Sequence, residues 1–292
     1  MSHFQKITAV IVLYNTTELV LECLKKIKNI NIIIVDNGKN DPELIKIIKK
    51  NYNIVKYFRP KKNLGFGRAC NFAFKYIKSQ YTLLIEPDVF IEESSLQNLI
   101  STLDRYPNAG MVTPRFLDND HNTADCLNDF PERGKGIERN KLEEIVSYKL
   151  SKSIPIGDTC INFCLAAIVL LNNKIIKNVG LFNKKIFLFW EDFELCRKLF
   201  ENKIPIIKSY NSTAVHLGEQ SVKSSIVNKF IINLHHSRSA YIYFKVNKNN
   251  FLFIKRTFLY LFRFISYLLI LNVNKSLKNL ARLLAIYMYL KK

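Results

Sequence analysis

The stretch ITAVIVLYNTTELVLECLKKIKNINIIIVDNG, residues 7–38, changes its apolar spacing twice. From Ile7 to Leu13 apolar, mostly β-branched residues run on for the length of one strand. From Thr17 to Ile27 the apolar side chains fall at Leu19, Val20, Cys23, Leu24 and Ile27, the spacing of a helix with one buried face. A second short apolar run, Ile32 to Val35, stops at Asp36-Asn37-Gly38. Strand, helix and strand in this order, with strands apolar throughout, predict an α/β fold whose parallel sheet is covered by helices on both faces.

The pattern continues outward. A helix is predicted over Pro42 to Lys50, a strand over Ile54 to Phe58, a loop from Pro60 to Gly67, a helix over Arg68 to Ile77 and a strand over Tyr81 to Ile85. Each polar turn then lies at the carboxyl end of its strand, where open α/β sheets bind ligands. A helix over Ser94 to Tyr106 and a strand over Gly110 to Pro114 follow. Residues 117–154 are polar and weakly periodic, and read as a long substrate-facing excursion or lid. Regular patterning returns at Ile161 to Leu171, a short amphipathic helix is expected over Glu191 to Phe200, and Ile204 to Val215 is strand-like. The amino-terminal run has only Lys6 ahead of it and ends at Asn15, so it reads as a first strand and not as a signal peptide.

With 292 residues, 48% of them hydrophobic, the chain has ample material for a buried core, which excludes global disorder. Against 24 acidic residues stand 44 Lys and Arg, a formal charge of +20 that favours an anionic partner: nucleic acid, anionic lipid or a phosphorylated substrate. The six cysteines are scattered without a C-x-x-C pair, and Cys160 and Cys164 sit in an apolar run, which points to buried thiols in a reducing compartment.

Composition shifts towards the carboxyl end. Phe251 to Leu271, FLFIKRTFLYLFRFISYLLIL, is rich in aromatics and leucine but interrupted by Lys255, Arg256 and Arg263. A spanning helix tolerates such charges poorly near its centre, whereas an interfacial helix accepts them because basic side chains reach for headgroups. A buried helical subdomain is the other reading. The division expected is a catalytic domain over 1–222 and a helical, membrane-associating region over 223–292.

Several strand ends carry chemistry. Asp36, Asn37 and Gly38 would line the sheet edge beside Tyr14-Asn15, unless they form an ordinary Asx turn. In Asn63-Leu64-Gly65-Phe66-Gly67-Arg68 the glycines let backbone approach a ligand, and Arg68 opens a helix whose amino end favours phosphate. Glu86-Pro87-Asp88 places two hard carboxylates at the same edge, suited to Mg²⁺ or Mn²⁺ bridging a diphosphate, with a surface turn as the alternative. Glu191-Asp192 follow Phe189 and Trp190, where desolvation suits a general base; Glu191 is the more natural partner for the helix dipole. An isolated His216 would more often be structural than a ligand.

The ordered motifs VLYN (12–15), VDNG (35–38), NLGFGRACN (63–71), EPDV (86–89), FLFWEDFELCRKL (187–199) and AVHLGEQS (214–221) closely resemble those of bacterial family 2 glycosyltransferases of GT-A fold, nearest the rhamnosyltransferase-like branch. The likeness covers about residues 6 to 222. It implies a Rossmann-like, mostly parallel sheet flanked by helices. It also implies an inverting, metal-dependent transfer from a nucleotide-sugar donor. In that scheme Asp36 contacts the base or ribose, with Tyr14, Asn15, Asn37, Asn63, Gly65, Arg68 and Glu86 on the donor side. Asp88 closes a DxD-like motif and binds the metal with His216. Asp192 is the base, and Trp190 and Glu191 face the acceptor.

Three departures stand out: Glu86 where the branch often has Asn or Asp, Asn183-Lys184 in place of an Asp-Glu pair, and Leu165-Ala166 in place of Gly-Ala. They bear on the sugar and acceptor more than on the reaction.

The resemblance further implies a saccharide or polyprenyl-diphosphate-linked acceptor in surface polysaccharide synthesis, such as O-antigen or capsule. Such an enzyme would be cytoplasmic and peripheral on the inner face of a bacterial membrane. Rhamnose from a dTDP donor is the first expectation, with UDP-galactofuranose or a UDP-hexose as alternatives. A basic nucleic-acid-binding protein would have no use for acids at successive strand ends, so no nucleic-acid partner is expected. An inactive membrane-bound scaffold is the third reading.

Overall fold

The computed structural model describes residues 3–16, 18–117, 130, 156–217, 225–245 and 251–291. The expected excursion over 117–154 therefore lies almost wholly outside the described residues, as do Thr17 and the end of the last motif from Gly218.

Among the described residues nine strands form one sheet in the order β3-β2-β1-β4-β8-β6-β9-β5, with β7 paired to β9. Strands β1 (Ile7–Leu13), β2 (Asn31–Asp36), β3 (Ile54–Phe58) and β4 (Tyr81–Ile85) run parallel, as predicted. Beyond them the sheet is mixed, which corrects the mostly parallel expectation. Strand β8 (Ile168–Asn172) is antiparallel to both β4 and β6 (Met111–Leu117), while β9 (Ile206–His216) runs parallel to β6. Two short strands that periodicity did not resolve, β5 (Val89–Ile91) and β7 (Thr159–Ile161), pair antiparallel with β9. The predicted segment Ile161 to Leu171 is thus two strand pieces, because β7 ends where the chain turns towards β8.

Strand alternation divides the core between the two faces of the sheet. Ile7, Ala9, Ile11 and Leu13 of β1 join a cluster with Val20, Cys23 and Leu24 of α1 (Leu19–Lys26), Leu44, Ile45 and Ile48 of α2 (Pro42–Asn51), and Leu96, Leu99 and Leu103 of α4 (Glu93–Arg105). Val10, Ile33, Val35 and Leu84 face the other cluster, with Ala69, Cys70 and Ala73 of α3 (Phe66–Ala73), Ile176 of α5 (Asn173–Val179) and Leu195, Cys196 and Leu199 of α6 (Glu191–Glu201). Helix α3 ends earlier than expected, tightening into a 3-10 turn over Phe74–Tyr76. Asp41 caps α2 by accepting the Glu43 N–H, with Pro42 at the first helical position, where its missing N–H does no harm.

The chain divides into two compact units, one of Met1–Phe182 with Asp192–Lys223, the other of Asn183–Glu191 with Ser224–Lys292. The second contains α7 (Ile226–Tyr243), α8 (Phe251–Leu269) and α9 (Val273–Leu290). Among the described residues, no helix is long and apolar enough to cross a membrane.

Candidate functional site

Asp36 ends β2, and its side chain is buried. Its carboxylate accepts from the Tyr57 hydroxyl at 2.5 Å, from the Asn40 amide and from the Gly38 N–H at 3.1 Å; Arg59 Nε stands 3.7 Å away. None of these partners except Gly38 was singled out from sequence. The signal for Tyr57 and Arg59 lies in the parallel β2–β3 register, Ile34 opposite Tyr57 and Val35 opposite Phe58, which periodicity alone does not supply. Burial, then the hydrogen bond to Asp36, hold the Tyr57 hydroxyl well above its ordinary pKa. Tyr57→Phe removes a donor to a buried carboxylate and is expected to destabilise the protein by about 1–3 kcal/mol in urea denaturation.

The neighbouring turns are built to fit each other. Asn15 sits in the left-handed region at φ 48° and accepts the Lys39 N–H through its side chain at 3.0 Å. A Cβ on Gly38 would lie 2.6 Å from the Asn15 backbone nitrogen, so only glycine fits this approach. Asn37 is buried and clamps the glycine loop: its amide donates to Gly65 O at 3.1 Å and accepts from Leu64 N at 3.2 Å. Asn63 accepts the Gly65 N–H at 2.8 Å, and Gly65 leads into α3 at φ 76°. Arg68 Nε donates to Leu64 O at 2.6 Å. Asn37 and Asn63 thus shape the loop through these bonds, and Tyr14 borders the same approach, with its Cα 3.0 Å from that same Cβ.

The second group of residues gathers two strands away along the same edge. Glu86 and Asp88 follow β4, and β5 then pairs with β9 so that Val89 lies opposite His216. The Leu217 N–H donates to Asp88 O at 3.2 Å, fixing the crossing. His216 Nε2 consequently lies 3.7 Å from Glu86 Oε2 and 3.9 Å from Asp88 Oδ1. One ligand atom from each residue falls within 4.8 Å of the others, and Asp88 Oδ1 is buried without a hydrogen-bond partner among the described residues. Two hard oxygens and one imidazole nitrogen, one oxygen lacking any protein donor, fit Mg²⁺ or Mn²⁺; Glu86, Asp88 and His216 can hold a divalent metal ion.

Electrostatics agree with that assignment. Burial, then the charges of Asp88 and Asp192, push the Glu86 carboxyl up to about 8. Burial lowers the His216 imidazole from its ordinary 6.5, with Asp88 opposing, and so favours the neutral ring that ligates metals. A cation would relieve the crowding of carboxylates.

Asp192 lies on the first turn of α6. Burial pushes its carboxyl up to about 6, against backbone N–H bonds from Phe193, from its own nitrogen and from Ala166. The next residue, Ala167, accepts the Glu86 N–H at 2.8 Å, so one short piece of chain ties the Asp192 carboxylate to the acidic cluster. These ties are main-chain, which is why the unusual side chains at Leu165 and Ala166 leave them in place. The chain enters α6 through two consecutive left-handed residues, Phe189 at φ 62° and Trp190 at φ 70°, a strain often found at functional sites.

Trp190 and Glu191, expected on the acceptor side, are buried and belong to the second compact unit. Trp190 is 3% exposed, with ring centroids 5.1 Å from Tyr243 and 5.3 Å from Phe244, so its indole is core material rather than an open platform. The apolar run before Glu191 signals burial as readily as it signals a desolvated site.

The glycosyl transferase family 2 profile matches residues 8–163. No curated protein is matched by the chain. Among solved structures, the chain is similar to GalNAc-T7 with UDP, GalNAc and Mn²⁺, with TM-score 0.56 and 14% identity over 82% of this chain and 48% of that one. The chain thus spans about half the length of that protein. It is also similar to the mannosyltransferase PcManGT from Pyrobaculum calidifontis in complex with GDP-Man and Mn²⁺, with TM-score 0.55 and 12% identity over 98% and 74% of the two chains. These likenesses show the fold, the GT-A arrangement of helices around a mixed sheet.

Proposed function

The chain belongs to glycosyl transferase family 2, and from that premise we propose an inverting, metal-dependent transfer of a sugar from a nucleotide-sugar donor to a saccharide or polyprenyl-diphosphate-linked acceptor. The observation that carries the reading is the Glu86, Asp88 and His216 cluster, tied through Ala166-Ala167 to a carboxylate of raised pKa at Asp192. Asp36 stands at the same sheet edge, and two strand spacings amount to about 10 Å, a span that a nucleoside diphosphate bridges.

In the proposed reaction Asp192 accepts the proton of the acceptor hydroxyl. The acceptor oxygen then bonds to the anomeric carbon from the face opposite the leaving group. The bond from that carbon to the diphosphate oxygen breaks, so the configuration inverts and the nucleoside diphosphate departs. Glu86, Asp88 and His216 would hold the divalent ion, which would supply charge neutralisation to the departing diphosphate. The amino end of α3, opened by Gly65, offers backbone N–H groups to the same phosphates.

The donor we propose is a dTDP-linked deoxyhexose, rhamnose first, on the motif likeness. The setting is surface polysaccharide synthesis such as O-antigen or capsule, at the inner face of a bacterial membrane. A panel of nucleotide sugars scored by thermal shift and metal-dependent hydrolysis tests this. A stabilisation of about 2.7 kcal/mol at a hundredfold excess over Kd is expected with the true donor. A response to UDP-galactofuranose or a UDP-hexose instead would reassign the sugar, and turnover with no donor beside tight nucleic-acid binding would sink the reading.

A further inference from the structure

In the second compact unit the stretch Ser224–Lys292 holds 12 Lys and Arg and no Asp or Glu, and the unit's one acidic side chain, Glu191, is buried. Most of the chain's net positive charge is therefore concentrated there. Within that unit α8 is fastened along one side only. Phe253 is buried against Tyr241 and Tyr289, with ring centroids at 5.1 and 5.6 Å, and Arg256 turns inward over the Tyr241 ring at 5.9 Å. Ser276 of α9 donates to Phe264 O at 3.2 Å. Arg256 is thus a structural cation, unlike its neighbours Lys255 and Arg263, which are exposed.

The opposite side of α8 is apolar, and among the described residues it is exposed. Phe251, Ile254, Phe258, Phe262, Ile265 and Leu269 recur at three- and four-residue intervals, so they form one stripe along ~28 Å of helix. Phe258 and Phe262 are each 69% exposed, and the stripe continues into the turn to α9, where Leu271 is 85% exposed. Such a large exposed apolar patch on a soluble face calls for a partner. A spanning role is out of reach, since Lys255, Arg256 and Arg263 interrupt the apolar run and no described helix is long and apolar enough to cross a membrane.

We infer that the stripe of α8 and the α8–α9 turn form the surface by which this protein docks, lying flat, on an anionic lipid bilayer. The apolar stripe enters the acyl boundary while Lys255 and Arg263 reach phosphate headgroups, the division expected of an in-plane helix. The lack of any Asp or Glu from Ser224 to Lys292, beside 12 Lys and Arg, is what selects an anionic surface over a neutral one, because the helices that carry the stripe bring no acidic side chain to repel phosphate. The inference depends on neither the donor nor the catalytic groups.

The test uses the full chain with vesicles of phosphatidylcholine alone and of equimolar phosphatidylcholine and phosphatidylglycerol, read by co-sedimentation without donor or metal. The wild type should favour the anionic vesicles strongly and lose that preference in high salt. The double variant Phe258→Ser/Phe262→Ser should bind at least tenfold more weakly. The separate variant Lys255→Gln/Arg263→Gln should lose about fivefold per residue on anionic vesicles only. Both change exposed residues, and unchanged far-ultraviolet circular dichroism confirms folding. Equal binding to both vesicle types, or undiminished binding by the phenylalanine variant, overturns the inference. So does a phenylalanine variant that merely converts a dimer to a monomer in size-exclusion chromatography, which would make the stripe an interface between copies. None of these results touches the transferase reading, whose own test is donor turnover.

Discussion

Asp192→Asn is expected to lower turnover by ~10² to 10⁴-fold while making the folded protein more stable above pH 6. The amide keeps the shape of the side chain and can still accept the Phe193 N–H, which bonds the carboxylate at 2.8 Å. It cannot take a proton from an acceptor hydroxyl. In the wild type, turnover should rise with pH through the raised pKa of about 6, because only the ionised carboxylate acts as base, and this limb should vanish in the variant.

The stability effect has the opposite sign. The folded carboxyl titrates near 6 and its ordinary value is 3.8, so the folded state holds the proton more tightly. Its stability contribution is therefore greatest below 3.8 and is lost as pH rises to about 6. An asparagine never pays this desolvation term. The variant should gain on the order of 1 kcal/mol above pH 6 after allowance for partial exposure, and little at pH 4. Full activity in Asp192→Asn would remove the residue from the reaction, whatever the stability curve does.

Asp88→Asn carries the second large effect. Its Oδ1 is buried and has no hydrogen-bond donor among the described residues, an arrangement that is costly unless a cation completes it. Loss of that ligand should reduce metal-dependent turnover by ~10³-fold, since a bound metal supplies several kcal/mol to such a departure. Thermal shift with Mn²⁺ alone gives an independent reading: the wild type should be stabilised as the ion saturates, and the variant should not respond. In metal-free buffer the variant should be at least as stable as the wild type, because an unpartnered buried charge has been removed. An undiminished Mn²⁺ response would show that the ion binds elsewhere. Glu86→Gln should have a smaller effect, since its side chain is about one-third exposed and its carboxyl is held protonated near neutrality without metal.

The local pattern of the sequence was enough to place the first four strands, the helices between them and the acidic strand ends at Asp36 and Glu86–Asp88. These features depend on side-chain period and on polar turns that interrupt apolar runs, information confined to a few neighbouring residues. The family motifs chose Asp192 from the Glu191-Asp192 pair as the base and gave His216 its metal role by likeness. What the sequence could not supply was the pairing. The mixed half of the sheet, the edge strand β5 and the placement of His216 beside Asp88 depend on β5 meeting β9 across more than 120 residues of chain. The same holds for Tyr57 and Asn40 around Asp36, for the main-chain bonds of Ala166 and Ala167, and for the burial of Trp190 and Arg256. Each is a contact between segments distant in sequence, or a choice of which side of a helix faces the core, and packing energy decides such choices only once the chain has folded.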